Sequence, residues 1–114
     1  MDIEFYREYC LKKAGTSEDT PFDEDTLVFK VAGKMFALCS ISSFDRTNLK
    51  CDPETAQELR SNYIAVKPGW HMNKKHWNTI LFDQDMDDSE ILEWVDHSYK
   101  LVKQSLPKKI RDSI

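Results

Sequence analysis

Two imidazoles, two indoles and three ammonium groups fall within one short stretch, Lys67–Trp77, and no acid stands between Arg60 and Asp83. Lysines here can neutralise phosphates, an exposed indole can stack on a flat ring, and imidazoles exchange protons near neutral pH. Lys67, Lys74 and Lys75 are the candidate phosphate contacts, and Trp70 is the candidate stacking platform. His71, Asn73, His76 and Asn78 supply hydrogen-bonding groups. The same stretch lacks the marks of an active site. There is no nucleophile-base signature, no glycine-rich phosphate loop and no paired-carboxylate motif. His71 and His76 are five residues apart, without a nearby cysteine or carboxylate to complete a zinc site. The expectation is therefore no catalytic residue, no metal and no cofactor.

Such a stretch must be held by ordered elements. Asp2 predicts a helix cap, and Ile3, Tyr6, Cys10 and Ala14 recur at helical spacing. Gly15 is placed to take a left-handed conformation after that helix. Residues 16–25 are polar and acidic and read as loop, with Phe22 as their apolar anchor. Residues 26–31 and 34–41 read as a hairpin turning at Ala32-Gly33. Strict alternation places Phe36 and Leu38 opposite Met35, Ala37 and Cys39. Both faces of that strand are apolar, which predicts a central position. Residues 47–51 predict a third strand. Asp52-Pro53-Glu54 is a helix start, with an acid at the cap and proline in the first turn. Residues 64–67 and 77–82 predict strands four and five, with the His/Lys/Trp stretch as the loop between them. Asp87 caps a last helix carrying Ile91, Leu92, Val95, Tyr99 and Val102 on one side, and Leu106-Pro107 ends it.

The order predicts a two-layer α+β domain, α-β(3)-α-β(2)-α, with a mainly antiparallel five-stranded sheet covered by helices. The 114 residues fit one domain, 1–114. No apolar run is long enough to cross a bilayer, and the acidic N-terminus does not read as a secretory signal. Three cysteines without CxxC spacing read as core thiols in a reducing compartment, so the expected location is the cytoplasm. Sixteen Lys and Arg against twenty Asp and Glu leave a net charge of −4, unfavourable for a general nucleic-acid binder. The charge is segregated, however. Acids crowd 18–25 and 83–96, whereas bases crowd 67–76 and 103–111. Segregation of this kind can present a positive face on an acidic body.

Leu27–Ala37, Leu49–Glu54 and above all Lys67–Thr79 resemble, in order and spacing, the MmcQ/YjbR family of small bacterial proteins. Ser98-Tyr99 and Leu106–Arg111 extend the likeness. The resemblance implies a fold similar to secretion-chaperone-like domains and a DNA-binding role through a double-wing surface. It implies no enzymatic activity. In one reading, then, this is a DNA-binding monomer. Its contacts are Lys67, Trp70, His71, Asn73, Lys74, Lys75 and His76, with Lys34 at the hairpin turn as a second wing. Lys108, Lys109 and Arg111 would extend the track, and the acidic helix 87–96 would face away. In the other reading, the chain binds a protein or peptide through a strand edge, with Trp70, Met72 and Trp94 as apolar anchors.

Overall fold

The computed structural model describes residues 1–114. One antiparallel sheet of six strands is backed by helices. The elements are α1 (Ile3–Leu11), β1 (Thr16–Asp19), β2 (Thr26–Val31), β3 (Lys34–Ser40), β4 (Arg46–Lys50) and α2 (Pro53–Asn62). They continue with β5 (Val66–Pro68), β6 (Trp77–Leu81), α3 (Asp88–Gln104) and α4 (Lys108–Arg111). The α+β class is as predicted, and β3 is indeed an inner strand. Strand order is β1-β2-β3-β4-β6-β5.

The sheet has six strands, not five. Thr16–Asp19, read as loop, pairs antiparallel with β2, Thr16 opposite Val31 and Asp19 opposite Val28. Its residues carry no apolar alternation because an edge strand can be held by main-chain hydrogen bonds alone. Its charges also discourage pairing with another chain. An Arg7–Glu18 ion pair, 2.6 Å, ties β1 to α1.

Strict alternation fails in β3. A bulge opposite the Phe29–Lys30 step lets Phe36 and Ala37 both join the main core, while Met35 and Leu38 turn to the other face. The bulge leaves room for a side chain between β3 and β4, and Ser98 of α3 fills it. Its hydroxyl donates to the Phe36 carbonyl (2.5 Å) and accepts from the Lys50 amide (2.9 Å). Ser98 is fully buried. A polar residue is thus required on the apolar side of the last helix.

All three long helices contribute to one core on one face. Tyr6 and Cys10 of α1, Ala56 and Leu59 of α2, and Ile91, Val95 and Val102 of α3 pack on Phe29, Phe36, Leu49 and Ile80. Tyr6 meets Phe29, Phe44 and Phe82 at ring-centroid distances of 5.5 to 6.2 Å, and its hydroxyl bonds Thr47. Every buried side-chain polar atom finds a partner, as expected where unpaired burial is costly. The opposite face carries only a small cluster, Val28, Leu38 and Trp77, partly covered by Met35 and Met72.

Strand directions sort the connections into two ends. The 32–33 turn, the start of α2 and the 69–76 loop lie at one end. The 20–25 loop, the 41–45 turn and the start of α3 lie at the other. At the 32–33 turn both central residues have positive φ, 48° and 82°, the pattern that suits hairpin twist.

Candidate functional site on the open sheet face

The 69–76 loop leaves β5 and returns into β6, folding back over the helix-free face. Arg60 of α2 holds its base. Nε donates to the buried Asn78 Oδ1 at 2.7 Å, and the guanidinium also donates to the Trp77 carbonyl (3.1 Å) and to the Lys74 carbonyl. Lys74 Nζ donates across the loop to the Gly69 carbonyl, 3.1 Å. Asn73 shapes the turn, its Oδ1 accepting from the Lys75 amide and its carbonyl from the His76 and Trp77 amides. Gly69 packs so closely on Trp77 that an added Cβ would lie 2.7 Å from its Cβ. Bulk there would displace the loop.

Trp70 is pinned from the sheet. Its amide donates to Thr79 Oγ1 (2.9 Å), its carbonyl accepts from Asn48 Nδ2 (3.2 Å), and Thr79 Oγ1 donates to Asn48 Oδ1 (2.6 Å). The indole is 40% exposed, with the Arg46 guanidinium 4.3 Å from its ring centroid. That is cation–π distance. His71 follows with a left-handed φ of 60° and an exposed side chain.

The sequence-predicted residues therefore divide. Lys34, Lys74, Lys75 and His76 lie at one end of the sheet, the end from which the loop springs. Lys34, Lys74 and Lys75 are exposed and His76 is half-buried. None of these lysines forms an ion pair with a carboxylate. Trp70 and His71 lean instead over the middle of the face. Lys67 sits half-buried on β5, near enough to Asp85 to help lower that carboxyl, although main-chain hydrogen bonds from Ile64 and Ala65 do so more strongly. Asn73 and Lys74 are partly spent on the loop's own structure. Asn78 is corrected outright as a contact residue: it is 1% exposed and bonded to Arg60 and to the Ala56 carbonyl. Trp77 packs with Val28 and Leu38 in the small cluster on the open face.

The charge pattern extends beyond the loop. Ile114, which follows α4, lies against Gly15, whose carbonyl accepts from the Ala32 amide of the hairpin turn. This places α4, with Lys108, Lys109 and Arg111, at the cationic end with Lys34 and Lys50. The acids there are mainly Asp52 and Glu54, at the start of α2, and Asp112. Asp23, Glu24, Asp25, Asp45, Asp83, Asp85, Asp87 and Asp88 occupy the opposite end. The acidic helix α3 packs on the other face, away from the loop.

Between the 20–25 loop and the 70–72 segment lies a cleft of about 460 Å³. Leu38, Ser40, Arg46 and Asn48 line it from the sheet, Phe22, Asp23 and Asp25 from one loop, and Trp70, His71 and Met72 from the other. Arg46 and Asn48 escaped the sequence reading. Their signal was present: Arg46, Asn48 and Lys50 alternate with Thr47 and Leu49, a strand with one polar face.

A six-stranded sheet with helices on one face and a cationic loop folded over the other defines a small α+β architecture. The chain belongs to the YjbR family, whose model matches residues 11–101. It is 33% identical over 112 residues to the uncharacterised protein YjbR of Escherichia coli K12, covering 97% of this chain and 95% of that protein. Against the uncharacterised Bacillus subtilis protein YyaQ, identity is 30% over 107 residues, covering 81% of this chain and 90% of the relative. The crystal structure of Deinococcus radiodurans DR2400, with a DUF419 domain, superimposes with a TM-score of 0.91 at 36% identity, covering 97% of this chain and 86% of that one. A Pseudomonas syringae structure gives 0.73 at 28% identity, covering 90% and 99%.

Proposed function

We propose that this protein is a non-catalytic DNA-binding module that meets the phosphate backbone with its cationic end. The observation that carries the reading is axial charge segregation. Lys34, Lys50, Lys74, Lys75, Lys108 and Lys109 gather at one end of the strands without carboxylate partners, and most loop acids lie at the other. A body with net charge −4 can then approach a polyanion in one orientation only. The hairpin turn at Lys34 and the base of the 69–76 loop present these cations. Lys75 is the most available loop cation, because Lys74 is partly engaged and Lys67 lies by Asp85. Three buried thiols, none in a disulfide, suit a reducing cytoplasm.

The alternative, strand addition by a peptide, meets two short edges. Outer β5 has three residues ending in Pro68, and outer β1 has four, two of them acidic. Both features discourage edge pairing.

The test is fluorescence anisotropy with a random-sequence duplex across a salt series. About four or five phosphate contacts give a log–log slope of roughly −4 to −5. The Lys34→Glu/Lys75→Glu double variant should retain its unfolding midpoint and lose binding. Absence of binding at micromolar wild-type protein in low salt, or undiminished binding by the double variant, would overturn the reading.

A further inference from the structure

The open-face cleft is separate from the cationic end and has a different chemistry. Its sheet side offers the Arg46 side chain, stacked under Trp70, 37% exposed and with its guanidinium making no hydrogen bond within the chain. Its only ionic neighbour is Asp45, at a marginal 3.7 Å. A planar guanidinium with its N–H groups unspent is suited to bidentate capture of a carboxylate. Across the cleft, Asp25 is fixed by the Ser40 hydroxyl (2.6 Å) and the Ser42 amide (2.7 Å). Asp23 is fixed by the amides of Asp25 (2.8 Å) and Thr26 (2.7 Å). These bonds hold both carboxyls below the usual carboxylate range, so both stay ionised at neutral pH. Arg46 and Asp25 both line the space but form no ion pair with each other. Apolar surface from Phe22, Leu38, Trp70 and Met72 completes it.

We infer that this cleft binds a free α-amino acid with an aromatic or long apolar side chain. Its carboxylate would lie on Arg46, its ammonium toward Asp25 and Asp23, and its side chain against Trp70 and Met72. A cleft carrying two carboxylates opposes a phosphate dianion, whereas a zwitterion complements both walls at once. The space is of ordinary small-ligand size. The site does not rest on the DNA reading: it shares residues 70–72 with the cationic loop, but its charged groups, Arg46, Asp23 and Asp25, lie toward the acidic end.

The experiment is amide-resolved NMR titration of the full chain with L-phenylalanine. It is repeated with L-phenylalaninamide, which lacks the carboxylate, and 3-phenylpropionate, which lacks the ammonium. Saturable shifts are expected at residues 23–26, 38–40, 46–48 and 70–72, with each analogue weaker by roughly tenfold or more. Arg46→Gln should weaken phenylalanine by a similar factor, Arg46→Lys less, and Asp25→Asn should do so selectively for the ligands carrying ammonium. The Arg46→Gln spectrum itself reports whether the variant is folded, and its duplex affinity should stay near that of wild type. No saturable shift at about 10 mM phenylalanine would overturn the proposal. So would equal binding of either analogue, or binding of a Phe-Phe dipeptide but not of the free amino acid.

Discussion

Replacing Ser98 with alanine removes one oxygen from the space opened by the β3 bulge. That oxygen serves two buried main-chain groups, accepting from the Lys50 amide at 2.9 Å and donating to the Phe36 carbonyl at 2.5 Å. Neither group can recruit solvent easily, because Ser98 is fully buried. An orphaned buried donor or acceptor costs about 1–3 kcal/mol, so the pair predicts a loss of about 2–6 kcal/mol. For a chain of this size that is a fall in unfolding midpoint of roughly 8–25 °C. Urea unfolding of Ser98→Ala should show a lower midpoint at nearly constant slope, with faster exchange of the Lys50 amide. Ser105→Ala is the control, since that exposed hydroxyl bonds only the Val102 carbonyl of its own helix. It should change stability by less than about 0.5 kcal/mol. A loss at Ser98 below about 1 kcal/mol would refute the reasoning, because the bulge would then be stable without its polar plug. The consequence reaches the site, since the bulge turns Met35 and Leu38 toward the open face.

Arg60→Met keeps the aliphatic stem but leaves Asn78 Oδ1 and the Lys74 carbonyl without their guanidinium donor, while the Trp77 carbonyl keeps only the Gly69 amide. It should cost about 2–3 kcal/mol in urea unfolding and raise amide exchange across residues 74–77. Ala32→Asn places a residue tolerant of positive φ at a φ of 48° and should raise stability by about 0.5–1 kcal/mol in the same assay, without altering duplex affinity. Asp25 has its carboxyl lowered mainly by the Ser40 hydroxyl and then by Ser42. Its contribution is therefore complete above the ordinary carboxylate pKa and is lost as pH falls through the lower folded value. Stability measured by urea from about pH 6 to about pH 3 should fall for wild type, and fall less for Asp25→Asn.

The helices were legible because their signals are local. Asp2, Asp52 and Asp87 each accept an amide hydrogen bond at a helix start, and the apolar spacing behind them marks the buried stripe. The cationic loop was equally visible as an acid-free run. Two features were not. Thr16–Asp19 is a strand only because β2 offers it a ladder, and nothing in four polar residues signals that partner. The β3 bulge depends on a serine sixty-two residues later along the chain. At the site, residue types identified the cations but not which of them would be spent inside the loop. Asn73 and Lys74 go to turn and strap, Asn78 to the core. Arg46 and Asn48, on another strand, become cleft residues because Thr79 and Asn48 draw Trp70 down onto them. Contacts of this kind arise from strand order, and the β4–β6 neighbourhood bypasses β5, which precedes β6 in sequence.

Polyanion should be met by one end of the strands and not the other. Amide NMR mapping with a short duplex measures this. Shifts are expected at residues 32–34, 50–51, 73–76 and 108–111, with residues 23–25 and 83–88 unmoved. Shifts centred on the acidic end, or spread evenly over both ends, would contradict it.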